Sequence, residues 1–227
     1  MSVETQRLDQ GLSRSVLPNG LTIITERIVG VRSVAVGIWV RTASAHEVRA
    51  QMGASHLLEH MVFKGTERRS ARQLAMELEA RGGSLDAYTS RDHTNYQAHV
   101  LDEDLPRALD VLTDLVRRPL LREEDLALER NVVLEEIATV EDNPDDRVFE
   151  LFNQQLWPDH SYGYSILGTR ESVGGLSAID LKQLHGQGYQ PGNCVVAAAG
   201  NLTHEAVLEG LEREGGVAQP AGAPPRG

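Results

Sequence analysis

The sequence predicts an α+β fold in which a mainly antiparallel sheet carries helices on one face. First, segments in which apolar and polar side chains alternate come in pairs joined by short connections, as in hairpins. Second, segments with helical periodicity follow one another without an intervening strand. Third, 41% of the 227 residues are hydrophobic and 24% are charged, which is ordinary for a globular domain with its own core. Strands grouped apart from helices are typical of the α+β class.

The strands are predicted from alternation and turn chemistry. Asn19-Gly20 marks a turn, because this pair readily takes positive φ, and the residues before it are strand-like. The clearest alternation places Val34, Val36, Ile38 and Val40 on one face of a strand. The predicted strands are residues 21–26, 34–40, 84–89, 94–101 and 193–199.

The helices are predicted from periodicity and caps. Ser70 with Gln73 forms a capping box, and Asn143 before Pro144 is an N-cap followed by proline at the first helical position. The predicted helices are residues 53–64, 70–81, 105–116, 123–141 and 143–157, with two more beginning at Ser177 and Thr203. We expect one domain over residues 1–214, followed by a Gly/Ala/Pro-rich linker or tail over residues 215–227.

Composition and charge narrow the function classes. A net charge of −11 disfavours nucleic-acid binding through a basic surface. No stretch reaches the ~20 apolar residues of a membrane helix, and the first residues lack the apolar core of a secretory signal. The single cysteine, Cys194, excludes an internal disulfide and fits a reducing compartment. These features predict a cytoplasmic protein without a membrane span.

Residues 54–63 predict a metal-binding helix. On a helical wheel, Ala54, Leu57, Leu58, Met61 and Val62 form an apolar face, whereas His56, Glu59 and His60 gather on the opposite face. Two histidines four positions apart can bind one metal ion, and zinc suits imidazole and carboxylate ligands. Because catalytic zinc lowers the pKa of bound water to about 7, Glu59 beside that water is the expected general base.

A third ligand has to come from another segment, and the helix over residues 123–141 offers Glu129, Glu135, Glu136 and Glu141. Glu136 lies on the wheel with Glu129 and valines, whereas Glu135 lies on a more polar strip. Burying a carboxylate among valines is costly unless it is paired or binds a metal, so Glu136 is the better candidate. Glu129, on the same face two turns earlier, could orient a ligand. Ordinary helix charges remain an equally good interpretation of both from spacing alone.

Four segments of the chain together resemble the pitrilysin and mitochondrial-processing-peptidase family. These are Gly53 to Thr66 with its inverted His-x-x-Glu-His motif, Gly82 to Ser90, Glu129 to Ile137, and Tyr164 to Thr169. The resemblance covers nearly the whole chain. It implies a zinc endopeptidase that acts on extended peptides or leader segments, with one Zn²⁺ bound by His56, His60 and Glu136, Glu59 as base, and Glu129 in support.

The resemblance also implies how substrate binds. The family's Asn-Ala-Tyr segment lies on an edge strand to which extended substrate adds as a further strand. Here the segment is Asp86-Ala87-Tyr88, and an ionised Asp offers no amide donor, which puts the role of position 86 in doubt. Family members have two similar halves, so we expect this N-terminal half to need a homologous C-terminal half or partner chain for full activity.

Two other functions stay open. Some members of the family are non-catalytic partner or structural subunits, although these usually lose part of the metal set that this chain retains. S-ribosylhomocysteine lyase has a similar helix and needs a cysteine ligand, for which Cys194 lies in the wrong context.

Overall fold

A seven-stranded sheet organises residues 5–213, the part of the chain that the computed structural model describes. The strands are β1 (Thr5–Asp9), β2 (Leu12–Val16), β3 (Thr22–Arg27), β4 (Ser33–Val40), β5 (Ser84–Thr89), β6 (Thr94–Leu101) and β7 (Cys194–Gly200). Their order is β1-β2-β3-β7-β4-β6-β5, and β3 with β7 is the one parallel pair within these residues. The predicted mainly antiparallel α+β fold is confirmed.

Eight α-helices occur within the described residues. They are α1 (Ala54–Val62), α2 (Ala71–Glu79), α3 (Leu105–Arg117), α4 (Glu123–Asp142), α5 (Pro144–Leu156), α6 (Arg170–Gly175), α7 (Ala178–Gly188) and α8 (His204–Arg213). The predicted capping box of Ser70 with Gln73 is present, and Asn143 caps α5 as expected. The sequence did not predict α6, because this helix has only six residues and ends in Gly174-Gly175.

The core lies between the helices and one face of the sheet. On β4 the side chains of Val34, Val36, Ile38 and Val40 are buried, and the intervening residues are on average more exposed. Helix α3 packs on β4 and β6 with an apolar stripe, and α8 packs on α3. The helices therefore cover one face, as the sequence predicted.

Helix α1 is held firmly by its apolar face. Leu57, Leu58, Met61 and Val62 are completely buried, and α1 contacts α4, α7 and the edge strand β5. Burying a leucine side chain stabilises a fold by about 1.5–3 kcal/mol. The apolar face predicted from the wheel therefore holds the histidine-bearing face of α1 toward α4 and β5.

The predicted domain boundaries are only partly covered by the described residues. The sheet and helices occupy residues 5–213, within the domain predicted over 1–214, and the predicted linker 215–227 lies outside the described residues. None of the helices in the described part combines the length and apolar character that crossing a bilayer requires.

Candidate metal centre

The start of helix α1 depends on Gly53 at its N-cap and on the carboxylate of Glu47, which lies in the preceding loop. Gly53 has φ of +85°, and a Cβ there would come within 2.5 Å of the Leu167 carbonyl oxygen, so glycine is required. The Glu47 carboxylate accepts hydrogen bonds from Gly53 N at 2.9 Å and Ser55 N at 2.6 Å. Burial raises the pKa of Glu47 to about 7, although these bonds act in the opposite direction. Glu47 thus satisfies backbone donors that the start of a helix leaves unpaired.

Two histidines and a glutamate meet above the polar face of α1. His56 Nε2 lies 3.6 Å from Glu136 Oε2, and His60 Nε2 lies 3.7 Å from Glu136 Oε1. The two imidazole centroids are 4.7 Å apart. Among residues 5–213, these three form the one group of His, Cys, Asp or Glu side chains whose ligand atoms all lie within 4.8 Å of one another. Two imidazole nitrogens and a carboxylate oxygen are a donor set that zinc accepts.

His60 is oriented by a chain of polar contacts. Its Nδ1 lies 3.2 Å from Oε2 of the buried Glu129, and the other Glu129 oxygen lies 2.6 Å from Lys64 Nζ. Metal-binding histidines commonly donate a hydrogen bond from the N–H of their second ring nitrogen to such a carboxylate, which fixes the ring and its tautomer. With Nδ1 bonded to Glu129, the Nε2 lone pair of His60 is directed at the group it shares with His56 and Glu136.

His56 is held differently. Its Nδ1 is buried, and no hydrogen-bond partner for this atom lies in the described part of the chain. Burial, with the nearby His60, lowers the pKa of His56 to about 4. The imidazole is therefore neutral at pH 7, which is the form that can bind a metal.

Glu59 lies on the same face of α1 and contacts the edge strand. The Thr89 hydroxyl of β5 donates a hydrogen bond of 2.5 Å to Glu59 Oε2. Burial raises the pKa of Glu59, although the Thr89 hydrogen bond and His60 lower it. A raised pKa makes a carboxylate a stronger base, and the second carboxylate oxygen is available to a substrate or water.

Glu136 reaches the site for a reason other than the one used to predict it. The prediction rested on burial among valines, but 40% of the Glu136 side chain is exposed and Val132 is exposed as well. Of the residues on the same strip of α4, Glu129 and Val133 are buried. The strip faces an open cleft, so the carboxylate meets the two histidines while part of it stays in contact with solvent.

The candidate substrate segment lies at the edge of the sheet. Strand β5 pairs with β6 alone among the described strands, which leaves its other side unpaired. Ala87, Tyr88 and Thr89 line the cleft, and along β5 the exposed Asp86 and Tyr88 alternate with the less exposed Ala87 and Thr89. The Asp86 side chain thus does not lie on the Glu59 side of the strand, and an incoming peptide would meet it through the backbone.

A cleft of about 610 Å³ joins these groups. Its floor is the three α1 side chains with Glu136, one side is β5, and the other side is α5 with the segment 166–167. Helix α5 contributes Asp146, Phe149 and Glu150, and it buries none of its residues. The cleft is therefore acidic, and it has an apolar side chain that no described element covers.

Sequence reasoning did not identify Glu47, Lys64 or Thr89. No pattern marks Glu47, because its role depends on a loop that returns to the start of α1. Lys64 follows the motif by one helical turn from His60, a spacing that could have indicated a contact on the same face. Thr89 ends a strand already predicted to lie at the site, so alternation with Ala87 could have found it.

The remaining histidines and the cysteine stay outside the centre. His204 is buried between Ser15 Oγ and Thr25 Oγ1, both at 2.8 Å, and is a polar-network histidine as expected. Cys194 is buried, and it is not one of the grouped ligand residues. A lyase-type centre with a cysteine ligand is therefore not formed by the described residues.

Known proteins share both the sequence and this fold. The chain matches the family model of Insulinase (Peptidase family M16) over residues 22–170. It is 42% identical over 215 residues to an uncharacterized zinc protease of Streptomyces coelicolor, an alignment that covers 93% of this chain and 47% of the relative. The chain therefore spans about half the length of the curated relatives it matches.

Solved structures show the same architecture. A protease from Helicobacter pylori has a TM-score of 0.89 at 23% identity, covering 99% of this chain and 53% of that chain. Pitrilysin has a TM-score of 0.85 at 22% identity, covering 97% of this chain and 26% of that chain. These structural likenesses concern the fold, whereas the family is shown by the family model and the 42% identity. The chain belongs to peptidase family M16, the insulinase and pitrilysin family, and fits its N-terminal half.

Proposed function

We propose that this chain is the zinc-bearing half of an endopeptidase that hydrolyses extended peptides or leader segments. One observation carries the proposal: the ligand atoms of His56, His60 and Glu136 lie within 4.8 Å of one another, beside a base candidate and an unpaired strand edge. The name of the S. coelicolor relative, a zinc protease, supports the same activity.

The residues fit one zinc ion by their chemistry. His56 and His60 would each provide Nε2 and Glu136 one oxygen, which leaves a coordination position for water as in other catalytic zinc sites. The neutral state of His56 and the Glu129 contact of His60 favour metal binding over protonation. When bound, zinc supplies Lewis acidity that polarises a peptide carbonyl and acidifies water.

The protein's own groups would then divide the work. Glu59 would take a proton from the attacking water on its free carboxylate oxygen and later return it to the leaving amine, while Thr89 keeps the other oxygen in place. The free side of β5 would bind the substrate backbone by strand addition, along Asp86-Ala87-Tyr88. This arrangement orients a scissile peptide bond across the Glu59 side of the cleft.

A second half is the partner that this site requires. The relatives that match are about twice as long as this chain, and the α5 side of the cleft carries exposed apolar residues. We propose that a homologous C-terminal half or partner chain closes the cleft over the peptide. The isolated chain is then expected to bind zinc and to cleave peptides poorly.

Metal analysis and peptide cleavage together test the proposal. We expect about one zinc per wild-type chain after dialysis, much less for His60→Ala, and wild-type content for His99→Ala, whose side chain is exposed on β6. Glu59→Gln is expected to keep zinc but to lose at least 10²-fold in cleavage, since it removes the base at constant size. Cleavage is measured with a quenched fluorescent peptide, with and without the other half of the S. coelicolor relative.

The outcomes separate the alternatives. Equal zinc in wild type and His60→Ala contradicts the metal site. Zinc binding without cleavage in the presence of a second half favours a non-catalytic partner subunit. Full turnover by the isolated chain contradicts the need for a second half.

A further inference from the structure

A small cavity lies in the core, separate from the metal cleft. It measures about 40 Å³ and is lined by α3, α8, the inner face of the sheet and the segment 189–191, and it shares no lining residue with the cleft. Its walls are mainly apolar and include Leu21, Ile38, Val196 and Leu211. A space of this size holds about one or two water-sized groups.

Two side chains of α3 bring hydrogen-bond donors to this cavity. Thr113 is 2% exposed, and its Oγ1 has no partner among the described residues. Arg117 Nε and Nη1 are also buried without a partner in the described part of the chain. The two residues lie four positions apart on α3 and both line the cavity, so their donors share one face of the helix.

Leaving the Arg117 Nε and Nη1 donors without an acceptor costs free energy, unless a ligand in the cavity accepts their hydrogen bonds. Arg117 as a whole is half-buried, but its Nε and Nη1 are shielded from solvent. An arginine remains protonated in proteins, and N–H donors shielded from solvent are costly unless they are hydrogen-bonded. None of the residues that line the cavity is a carboxylate. The nearby charged groups are cationic. Besides burial, the positive charge of Arg118 lowers the pKa of Arg117, and the charges of Arg117 and Arg41 lower the pKa of the Cys194 thiol in the cavity wall, against the larger effect of burial.

We propose that this cavity binds a small monovalent anion of the chloride class, held by the Arg117 guanidinium and the Thr113 hydroxyl. The donor set favours an anion over a cation or a neutral ligand, because guanidinium offers donors only and the thiol of Cys194 is kept protonated by burial. The apolar walls favour a weakly hydrated ion, and the small volume excludes organic anions and nucleotides. The anion would accept hydrogen bonds from the buried Nε and Nη1 of Arg117 and join α3 to the sheet.

Chloride dependence of stability tests the proposal. The full chain is dialysed into sodium gluconate, and its unfolding is followed while chloride replaces gluconate at constant ionic strength. Once chloride exceeds its dissociation constant, each tenfold rise is expected to lower the unfolding equilibrium constant by up to tenfold. Bromide is expected to substitute, and anomalous diffraction from a bromide-soaked crystal would show it beside Arg117 and Thr113.

Matched variants assign the effect to the cavity. Arg117→Met is expected to abolish the chloride dependence and Thr113→Val to weaken it, whereas Arg118→Met, with the same loss of charge at the next position, is expected to retain it. If Arg117→Met does not fold, Thr113→Val and the bromide position decide. Stability that is independent of chloride, equal dependence in Arg117→Met, or a cavity that contains only water in the bromide crystal would each overturn the proposal.

Discussion

The α1 side of the cleft, which forms its floor, and the α5 side differ in how firmly the fold holds them. Helix α1 buries six of its nine residues, and Glu47 caps its start. Helix α5 across the cleft buries none of its thirteen residues and exposes Phe149, Phe152 and Trp157 near its end. The difference indicates that the candidate ligands on α1 are held in place by the described residues, whereas the α5 side leaves apolar side chains that the proposed second half would cover.

The contrast between the α1 and α5 sides matches two different requirements, one for catalytic groups and one for a peptide-binding surface. A catalytic centre loses activity when its groups shift by about 1 Å, so its supports have to be buried and hydrogen-bonded. A surface that receives many peptides, or a second half, has to remain open until they arrive. The α1 side has hydrogen-bonded supports of the first kind in Glu129, Thr89 and Glu47, and the open α5 side fits the second requirement under the proposed function.

Truncating one apolar side chain on each side gives the largest expected difference. Leu57→Ala on α1 is expected to lower the free energy of unfolding by about 3 kcal/mol, because Leu57 is fully buried and its removal leaves a cavity. Phe149→Ala on α5 is expected to change it by less than about 0.5 kcal/mol, because the side chain is 68% exposed. Urea denaturation of both variants measures the two values. Equal losses would contradict the contrast.

The metal-free α1 side is also expected to respond to pH through His56. Burial lowers the His56 pKa from 6.5 to about 4, so folding opposes its protonation. Its contribution to stability is present above pH 6.5 and is lost as pH falls through about 4, a change of about 3 kcal/mol.

Comparison with His56→Gln isolates this contribution from the other titrating groups. With zinc removed by a chelator, the unfolding free energy of the wild type is expected to fall relative to that of His56→Gln between pH 6.5 and 4. The measurement is urea denaturation of both proteins across this range. A constant difference would show that the imidazole is not buried as described.

The sequence could predict the α1 side well because local patterns determine it. The spacing of His56, Glu59 and His60 and the apolar residues between them specify a helix, one buried face and one polar face without knowledge of other segments. Glu47 could not be assigned in this way, since it acts through a loop that returns to the start of α1 and that no local pattern encodes. Glu136 does lie beside the two histidines, but the burial among valines from which it was chosen is absent, and its role as a ligand stays a prediction.

The contact between Glu129 and His60 gives a further test of whether the α1 side is held in place before metal binds. Glu129→Gln is expected to weaken zinc binding by about 10–100-fold, since loss of the carboxylate removes the charge that orients the imidazole. Glu135→Gln is the matched control on the same helix, because Glu135 is exposed and has no contact with the histidines. Competition with a fluorescent chelator measures both affinities. Equal affinities would mean that Glu129 pairs with Lys64 without supporting the metal.

The smallest expected effect belongs to the open α5 side. Asp146 lines the cleft with Glu150, so a peptide with basic side chains gains electrostatic attraction there, although Asp146 is exposed and water screens the interaction. Asp146→Asn in a zinc-loaded Glu59→Gln background is expected to weaken binding of a lysine-rich peptide by about two- to fivefold, and less at high salt. Asp145→Asn removes the same charge from a neighbouring residue outside the cleft and is expected to have little effect. Fluorescence anisotropy measures both, and equal weakening by the two variants would show that net charge alone attracts the peptide.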